Sequence, residues 1–388
     1  PALRVSQETR GTLADLGAAR PSLAAPFFPP KLREHRTEEL RECIGCKICT
    51  TGDFYSVPIR GTQNPTMGEE FRKGWHPEII QKKGDSSNVL VVGAGPSGLE
   101  CALSLAKRGY DVVVSDDKPE AGGRVLLESR LPGLNEWRRV IDHRTFMLSQ
   151  KPNVEIYTSS DLDAQGILEY GFEHVVLATG AQWRNDFCGR THRLSPLPEN
   201  TDQMAPIISV NDILAGKILS GHIVIFDDDY YYMANVIAEK LVQDGCQVTY
   251  VTPTPEVAPY TYATLDQHRI QGRLEELGVT ILTSHSISGF SASNEIECES
   301  VYSGSSKVIE CDGVLPVTSR LPRHGLYQQL AENPKIPESG IKSVSPIGDC
   351  EAPGSIATAV YSGHQFARQL DNPIDQRYGF EREVLIPE

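Results

Sequence analysis

The stretch Asn88–Asp117, "NVLVVGAGPSGLECALSLAKRGYDVVVSDD", limits the possible folds more than any other part of the chain. A Val-rich run ends in Gly93-Ala94-Gly95-Pro96-Ser97-Gly98, an amphipathic segment follows, and a second Val-rich run closes the unit. These periods and breaks predict strand, glycine turn, helix and strand, a βαβ unit that builds parallel sheet. In such a turn Gly93 permits the tight bend, Gly95 lets backbone approach a pyrophosphate, and Gly98 lets the helix pack closely on the strand. Pro96 and Ser97 open the helix, whose free N–H groups face the anion. Asp116 ends the second strand, 18 residues after Gly98, where a carboxylate can accept ribose hydroxyls. The following "EAGGRV" adds Gly122, Gly123 and Arg124 as candidate nucleotide contacts. The alternative is a doubly wound domain that holds no ligand.

A second unit, "GHIVIFDDDYYYMANVIAEKLVQDGCQVTYVTP" (Gly221–Pro253), repeats the rhythm at similar length, an internal repeat of the dinucleotide-fold type. Where its glycines belong stands Asp227-Asp228-Asp229-Tyr230-Tyr231-Tyr232. Carboxylates there repel a pyrophosphate and tyrosines block close backbone approach, so this unit is expected to bind no NAD(P)H. A nucleotide docked in another way is the alternative. Two further stretches, "LATGA" (Leu177–Ala181, with Thr179 and Gly180) and "IGDCEAP" (Ile347–Pro353, with Gly348 and Asp349), resemble later signatures of two-dinucleotide flavoproteins. That resemblance favours FAD, or its ADP half, in the first unit, with Asp349 hydrogen-bonded to a ribityl or phosphate portion. The plainer reading of Asp349 is a surface turn.

Ahead of these units lies a different texture. Residues 1–40 read as short helical pieces broken by prolines, with "ADLGAARPSLA" as a strand running into a loop, and 41–86 as irregular chain. Within it "RECIGCKICT" sets Cys43, Cys46 and Cys49 at three-residue intervals. Links of two residues are the spacing of cubane iron–sulfur ligation; a zinc site of three Cys and His76 is the alternative. The other six cysteines are scattered singly, which predicts a reducing compartment, by default the cytoplasm, rather than a disulfide framework. A net charge of −14 argues against a nucleic-acid partner. No apolar run is long enough for a membrane span, and the N-terminus has no secretory pattern.

The stretches "GAARPSLAAPFFPPKL", "RECIGCKIC", "TQNPTMGEEFRKGWHPE", "VVGAGPSGLECA", "YYYMANVIAEKL" and "IGDCEAPGSIATAVYSGHQFAR" run over nearly the whole chain. In them the chain resembles the C-terminal part of the trimethylamine/dimethylamine dehydrogenase-like family. This is the iron–sulfur flavoprotein branch of the old yellow enzyme superfamily, with histamine dehydrogenase and the dimethylglycine-type N-demethylases. The resemblance implies an N-terminal (β/α)8 barrel whose FMN oxidises a small amine. It also implies a [4Fe–4S] cluster passing electrons to an electron-transfer flavoprotein or related acceptor, C-terminal domains holding ADP or FAD, and a homo-oligomer. Only the last barrel unit is present, with Arg20 of "GAARPS" at the family's FMN-phosphate position. The amine-oxidising residues would lie outside this chain, so no catalytic residue is assigned. The chain is then a fragment, or the partner of a separate barrel-bearing subunit. The family's fourth cluster cysteine precedes "TQN"; here that place is Gly61, in "IRGTQNP". The cluster could be three-ligated and labile, completed by another group such as Asp53, or disabled.

The expected fold is α/β, with two Rossmann-like dinucleotide-binding domains of the FAD/NAD(P)-linked reductase type behind an iron–sulfur segment and a barrel remnant. The expected divisions are 1–40 for the barrel end, 41–86 for the cluster segment, and 87–205 for the first part of an FAD/ADP-binding domain. Residues 206–339 form a NAD-like domain without the glycine fingerprint, and 340–388 return to the FAD/ADP-binding domain. The expected function is the electron-transfer and nucleotide-binding portion of an amine dehydrogenase. An NAD(P)H-dependent enoyl or dienoyl reductase and a non-catalytic assembly module with structural ADP are the alternatives.

Overall fold

The computed structural model describes residues 19–193, 205–292 and 294–371. β1 (Asn88–Val92) leads through the glycine turn into the helix Pro96–Arg108 and out to β2 (Asp111–Ser115). The two strands pair in parallel, Val89 opposite Val112 and Leu90 opposite Val113. β3 (Val154–Tyr157) adds beside β2, and β4 (His174–Leu177) beside β1. From Val89 to Val92 every residue is buried, as expected of a parallel strand covered on both faces.

β5 (Ala181–Trp183) leaves this sheet, and the second unit follows: β6 (His222–Asp227), the helix Met233–Gln243, β7 (Gln247–Thr252) and β8 (Thr280–Thr283). An antiparallel meander of β9 (His285–Ala292), β10 (Glu295–Ser300) and β11 (Ser306–Glu310) comes next. β12 (Gly313–Val317) then returns to pair with β6, giving the order β12-β6-β7-β8. β13 (Arg320–Pro322) runs back along β5, and β14 (Ser343–Pro346) pairs with β4, completing the parallel order β14-β4-β1-β2-β3. The helix Ile356–Gln369 closes over the first sheet. Two α/β units, each a parallel sheet with covering helices, are therefore interleaved in one chain.

Two local expectations need correction. Ala19–Ala24, within the segment read as strand into loop, is helical, so Arg20 is an exposed helix residue. The stretch read as irregular contains the helices Ile48–Phe54 and Glu70–Lys73. Gly52 lies within the first of these helices, and left-handed residues at Gly68 and Gly74 turn the chain before and after the second.

Candidate functional site

Three glycines of the first turn have different reasons to be glycine. Gly93 has φ 109°, and a Cβ there would lie 2.3 Å from the carbonyl oxygen of Ala178. A Cβ at Gly98 would lie 1.9 Å from the carbonyl oxygen of Gly93. Both are demanded by the protein's own packing. At Gly95 an added Cβ meets nothing within 4 Å, so the protein leaves open space above that backbone. Beside it, the Ser97 Oγ is buried without a hydrogen-bond partner at the start of the helix. An orphaned hydroxyl and an open cradle at a helix N-terminus fit a phosphate group.

Asp116 and the "EAGGRV" loop shape this cradle. The Asp116 carboxylate accepts the N–H groups of Ala94 (2.6 Å) and Lys118 (2.9 Å). Its first role is thus to brace the glycine turn. Gly122 donates to the Ala94 carbonyl at 2.8 Å. Gly123, at φ 56°, lies so close that a Cβ would sit 3.1 Å from Gly95 Cα. Gly348 (φ 62°) comes up on the other side, where a Cβ would lie 2.7 Å from Ser97 Oγ. Thr179 donates to the Arg323 carbonyl at 2.9 Å, and Gly180 accepts from Arg323 N–H at 2.9 Å. Except for Arg20, the candidate nucleotide residues belong to this cradle and the β4 and β14 strand ends beside it.

Asp349 is more heavily engaged than the sequence suggested. Its Oδ2 accepts from Arg124 Nη2 and from Arg320 Nη1, each at 2.8 Å, and its Oδ1 accepts the N–H of Gly354 at 2.9 Å. Arg124 also binds Glu128 at 2.6 Å. Burial works to lower the Arg124 pKa, but Glu128 and Asp349 outweigh it and raise it. For Arg320, burial and then the neighbouring Arg124 prevail and lower the pKa. Arg320 was missed in the sequence because β13, a strand of three residues, carries no motif.

In the second unit the aspartate run turns largely inward. Asp227 Oδ2 accepts from Tyr250 OH at 2.5 Å, and Oδ1 from the N–H of Tyr230 at 3.0 Å. Burial, with a smaller push from Asp229, raises the Asp227 pKa to about 7. The Asp228 carboxylate accepts the N–H groups of Arg190 (2.5 Å) and Thr191 (2.8 Å) and the Tyr230 hydroxyl (2.7 Å). Asp229 faces a cavity of about 80 Å³ shared with Cys46, Thr62, Arg124, Tyr231 and Arg320. The expectation of three carboxylates facing a phosphate is therefore corrected: one of them faces the cavity between the units, and two are engaged in hydrogen bonds to β7, to Arg190 and Thr191, and within their own loop.

The cysteine loop lies against both units. Left-handed residues at Gly45 (φ 72°) and Lys47 (φ 54°) curl it, and Cys43 Sγ accepts the Gly45 N–H at 3.4 Å. Arg139 donates to the Cys43 carbonyl (3.1 Å), and Gln63 to that of Glu42 (3.0 Å). On the other side Lys47 is paired with Asp266, which also accepts the Tyr232 hydroxyl at 2.6 Å, while Thr50 donates to the Ala263 carbonyl at 2.9 Å. Cys46 Sγ lies 3.1 Å from Thr62 Oγ1. Burial raises the Cys46 pKa, and both Cys43 and Cys49 add to the rise, so the three thiols share one electrostatic neighbourhood. Among the described residues no group of three or more His, Cys, Asp and Glu side chains is drawn together as a ligand set. His76 Nδ1 is occupied by the N–H groups of Glu78 and Ile79, and its ring stacks on Phe27. Asp53 is exposed. The loop carries three thiols at two-residue links, and Gly61 supplies none.

Interleaved dinucleotide folds, a glycine cradle and a closing Gly-Asp turn define a flavoprotein-type oxidoreductase scaffold. Residues 87–363 match the pyridine nucleotide-disulphide oxidoreductase family model, and the chain belongs to that family. Its similarity extends across the cysteine loop to the trimethylamine/dimethylamine dehydrogenase-like group. It is 35% identical to dimethylamine dehydrogenase of Hyphomicrobium sp. (strain x), over 93% of this chain and 52% of that protein. It superposes on histamine dehydrogenase from Rhizobium sp. 4-9 with TM-score 0.93 and 44% identity, over 100% of this chain and 60% of the other. The 6-hydroxypseudooxynicotine amine oxidase of Pseudomonas geniculata N1 gives TM-score 0.89 and 39% identity, over 95% and 55%. The chain thus spans a little over half the length of these relatives. Among the described residues no helix is long and apolar enough to cross a membrane.

Proposed function

We propose that the chain is the nucleotide-binding and electron-transfer portion of an iron–sulfur flavoprotein amine dehydrogenase. The small amine is oxidised at FMN in a barrel outside this chain, and an electron-transfer flavoprotein or similar acceptor receives the electrons. Cys43, Cys46 and Cys49 would hold the cluster, which supplies one-electron transfer when bound. The chain's own part is to grip the loop through Arg139 and Gln63 on one side and through Asp266 and Ala263 on the other.

The observation that carries this reading is the use made of the second unit. Its Asp266, which accepts the Tyr232 hydroxyl, is paired with Lys47 of the cysteine loop, and its Asp227 and Asp228 are committed to internal hydrogen bonds. A reductase fed by NAD(P)H needs that loop open to phosphate. In the first unit the same logic favours ADP over FAD. There Arg124 and Arg320 both occupy Asp349, the residue expected to meet a ribityl or phosphate portion.

The test is to purify the full-length protein anaerobically, extract its nucleotides and add NADPH. ADP and FMN in the extract, with slow or no bleaching by NADPH and rapid bleaching by an amine, are expected. Rapid bleaching by NADPH would return the chain to the enoyl or dienoyl reductases. The assembly-module reading is favoured by Gly61, and it predicts bound ADP with no iron.

A further inference from the structure

We propose that the groove between the cysteine loop and the second unit binds a small aromatic carboxylate, one that carries an N–H or O–H donor on its ring. No thiol takes part in the recognition, so the site stands whether or not the loop carries a cluster.

The groove has a cavity volume of about 280 Å³, close to the roughly 300 Å³ at which small-molecule sites begin, so it suits one or two fused rings. Its apolar walls come from three parts of the chain. Ile44 belongs to the cysteine loop, Leu134 to the first unit, and Val236, Ile270 and Leu274 to the helices Met233–Gln243 and Gln267–Glu276. Trp137 and Tyr232 also line it, their rings edge to face with centroids 6.3 Å apart. Both are only half-buried, which leaves ring surface for a flat guest to pack on.

Two polar groups on this wall are unanswered. Asn235 is 7% exposed, yet its Oδ1 is buried without a hydrogen-bond partner, and an orphaned oxygen calls for a donor. Most of the lining charges are matched. Asp266 pairs with Lys47 and accepts the Tyr232 hydroxyl, and Glu239 pairs with Arg273 at 2.8 Å. Arg269 alone among the described charged residues of the lining has no ion pair or hydrogen bond, and it is exposed. One unmatched guanidinium suits one carboxylate, through two parallel N–H···O bonds. A phosphate dianion would meet the carboxylates of Glu239 and Asp266 on the same wall, so a monoanion fits better.

Indole-3-acetate is the probe: its ring N–H answers Asn235 and its carboxylate answers Arg269. Calorimetric titration of the full-length protein, as purified, should show saturable binding. The neutral indole-3-acetamide should bind about tenfold more weakly, and 1-methylindole-3-acetate, which lacks the N–H, on the order of fivefold more weakly. Because Arg269 is exposed, Arg269→Gln leaves the fold intact; it should weaken indole-3-acetate about tenfold and leave the acetamide unchanged. Asn235→Ala, checked by its unfolding midpoint, should erase the preference for indole-3-acetate over its N-methyl form. If that variant does not fold, the N-methyl probe on the parent carries the test of Asn235. No saturable binding to the parent overturns the proposal. So does binding that Arg269→Gln keeps at parental strength, or acetamide binding as tight as that of the acetate, since either places the guest away from Arg269.

Discussion

Gly363 and Ser97 meet backbone to backbone: a Cβ at Gly363 would lie 2.1 Å from the Ser97 carbonyl oxygen. The closing helix Ile356–Gln369 is thereby pressed against the first turn of the helix Pro96–Arg108, at the edge of the phosphate cradle. Gly363→Ala should cost about 1–3 kcal/mol, the usual effect of overpacking, and should weaken ADP binding because the cradle moves with the helix. Denaturant unfolding and ADP titration read the two effects. An unchanged unfolding midpoint would show that the contact carries no strain.

Gly95→Ala separates ligand from fold. With nothing within 4 Å of the new Cβ, the unfolding midpoint should stay within about 0.5–1 kcal/mol of the parent. The methyl group does stand where a pyrophosphate would approach, so ADP affinity should fall at least tenfold by calorimetry. Equal affinity in parent and variant would remove the glycine turn from the nucleotide site.

Arg144 and Glu100 form a buried ion pair at 2.8 Å, and Arg144 also donates to Gln63 Oε1 at 2.9 Å. Burial opposes ionisation of Glu100, but Arg144 and then His364 outweigh it and hold the carboxyl well below its usual range. The pair's contribution is therefore present above the usual Glu value of 4.5 and is lost as pH falls below it. Arg144→Met leaves the buried carboxylate without its guanidinium, with only Ser104 and His364 beside it, and should cost about 3–5 kcal/mol at neutral pH. Adding Glu100→Gln should recover part of that loss; a double variant no more stable than the single one would contradict the pairing.

Asp227 titrates in the opposite sense. Burial raises its pKa from 3.8 to about 7, so the folded chain holds a proton that the unfolded chain releases. Its share of stability is complete below about pH 4 and declines as pH rises toward 7, by at most about 1.4 kcal/mol per pH unit. Asp227→Asn removes this dependence. The parent should therefore lose ground to the variant between pH 4 and pH 7 in thermal unfolding. Parallel pH profiles would mean that Asp227 is ionised throughout.

Much of the fold was legible because its signals are local. β1, the glycine turn and β2 lie within thirty residues and differ in period and composition. The same is true of the second unit, whose lost glycines were visible as letters. The charge networks were not legible. Glu100 meets Arg144 across 44 residues, and Arg124 meets Asp349 across 225. Neither partner sits in a pattern that names the other. The helix at Ala19–Ala24 was missed for another reason: its "ARPSLA" has too few turns to show a period.

By itself the sequence determined the doubly wound class, the cradle glycines, the spacing of Cys43, Cys46 and Cys49, and the absence of a cysteine at Gly61. These depend on which side chain is or is not present at a given spacing along the chain. Only the tertiary structure decided which glycines answer to packing and which to open space. It also turned Asp227 and Asp228 inward, set two arginines on Asp349, and brought Thr62 to Cys46. The reason is physical: a buried charge or polar group must find its partner wherever the fold brings one, and that distance is not written in the local pattern.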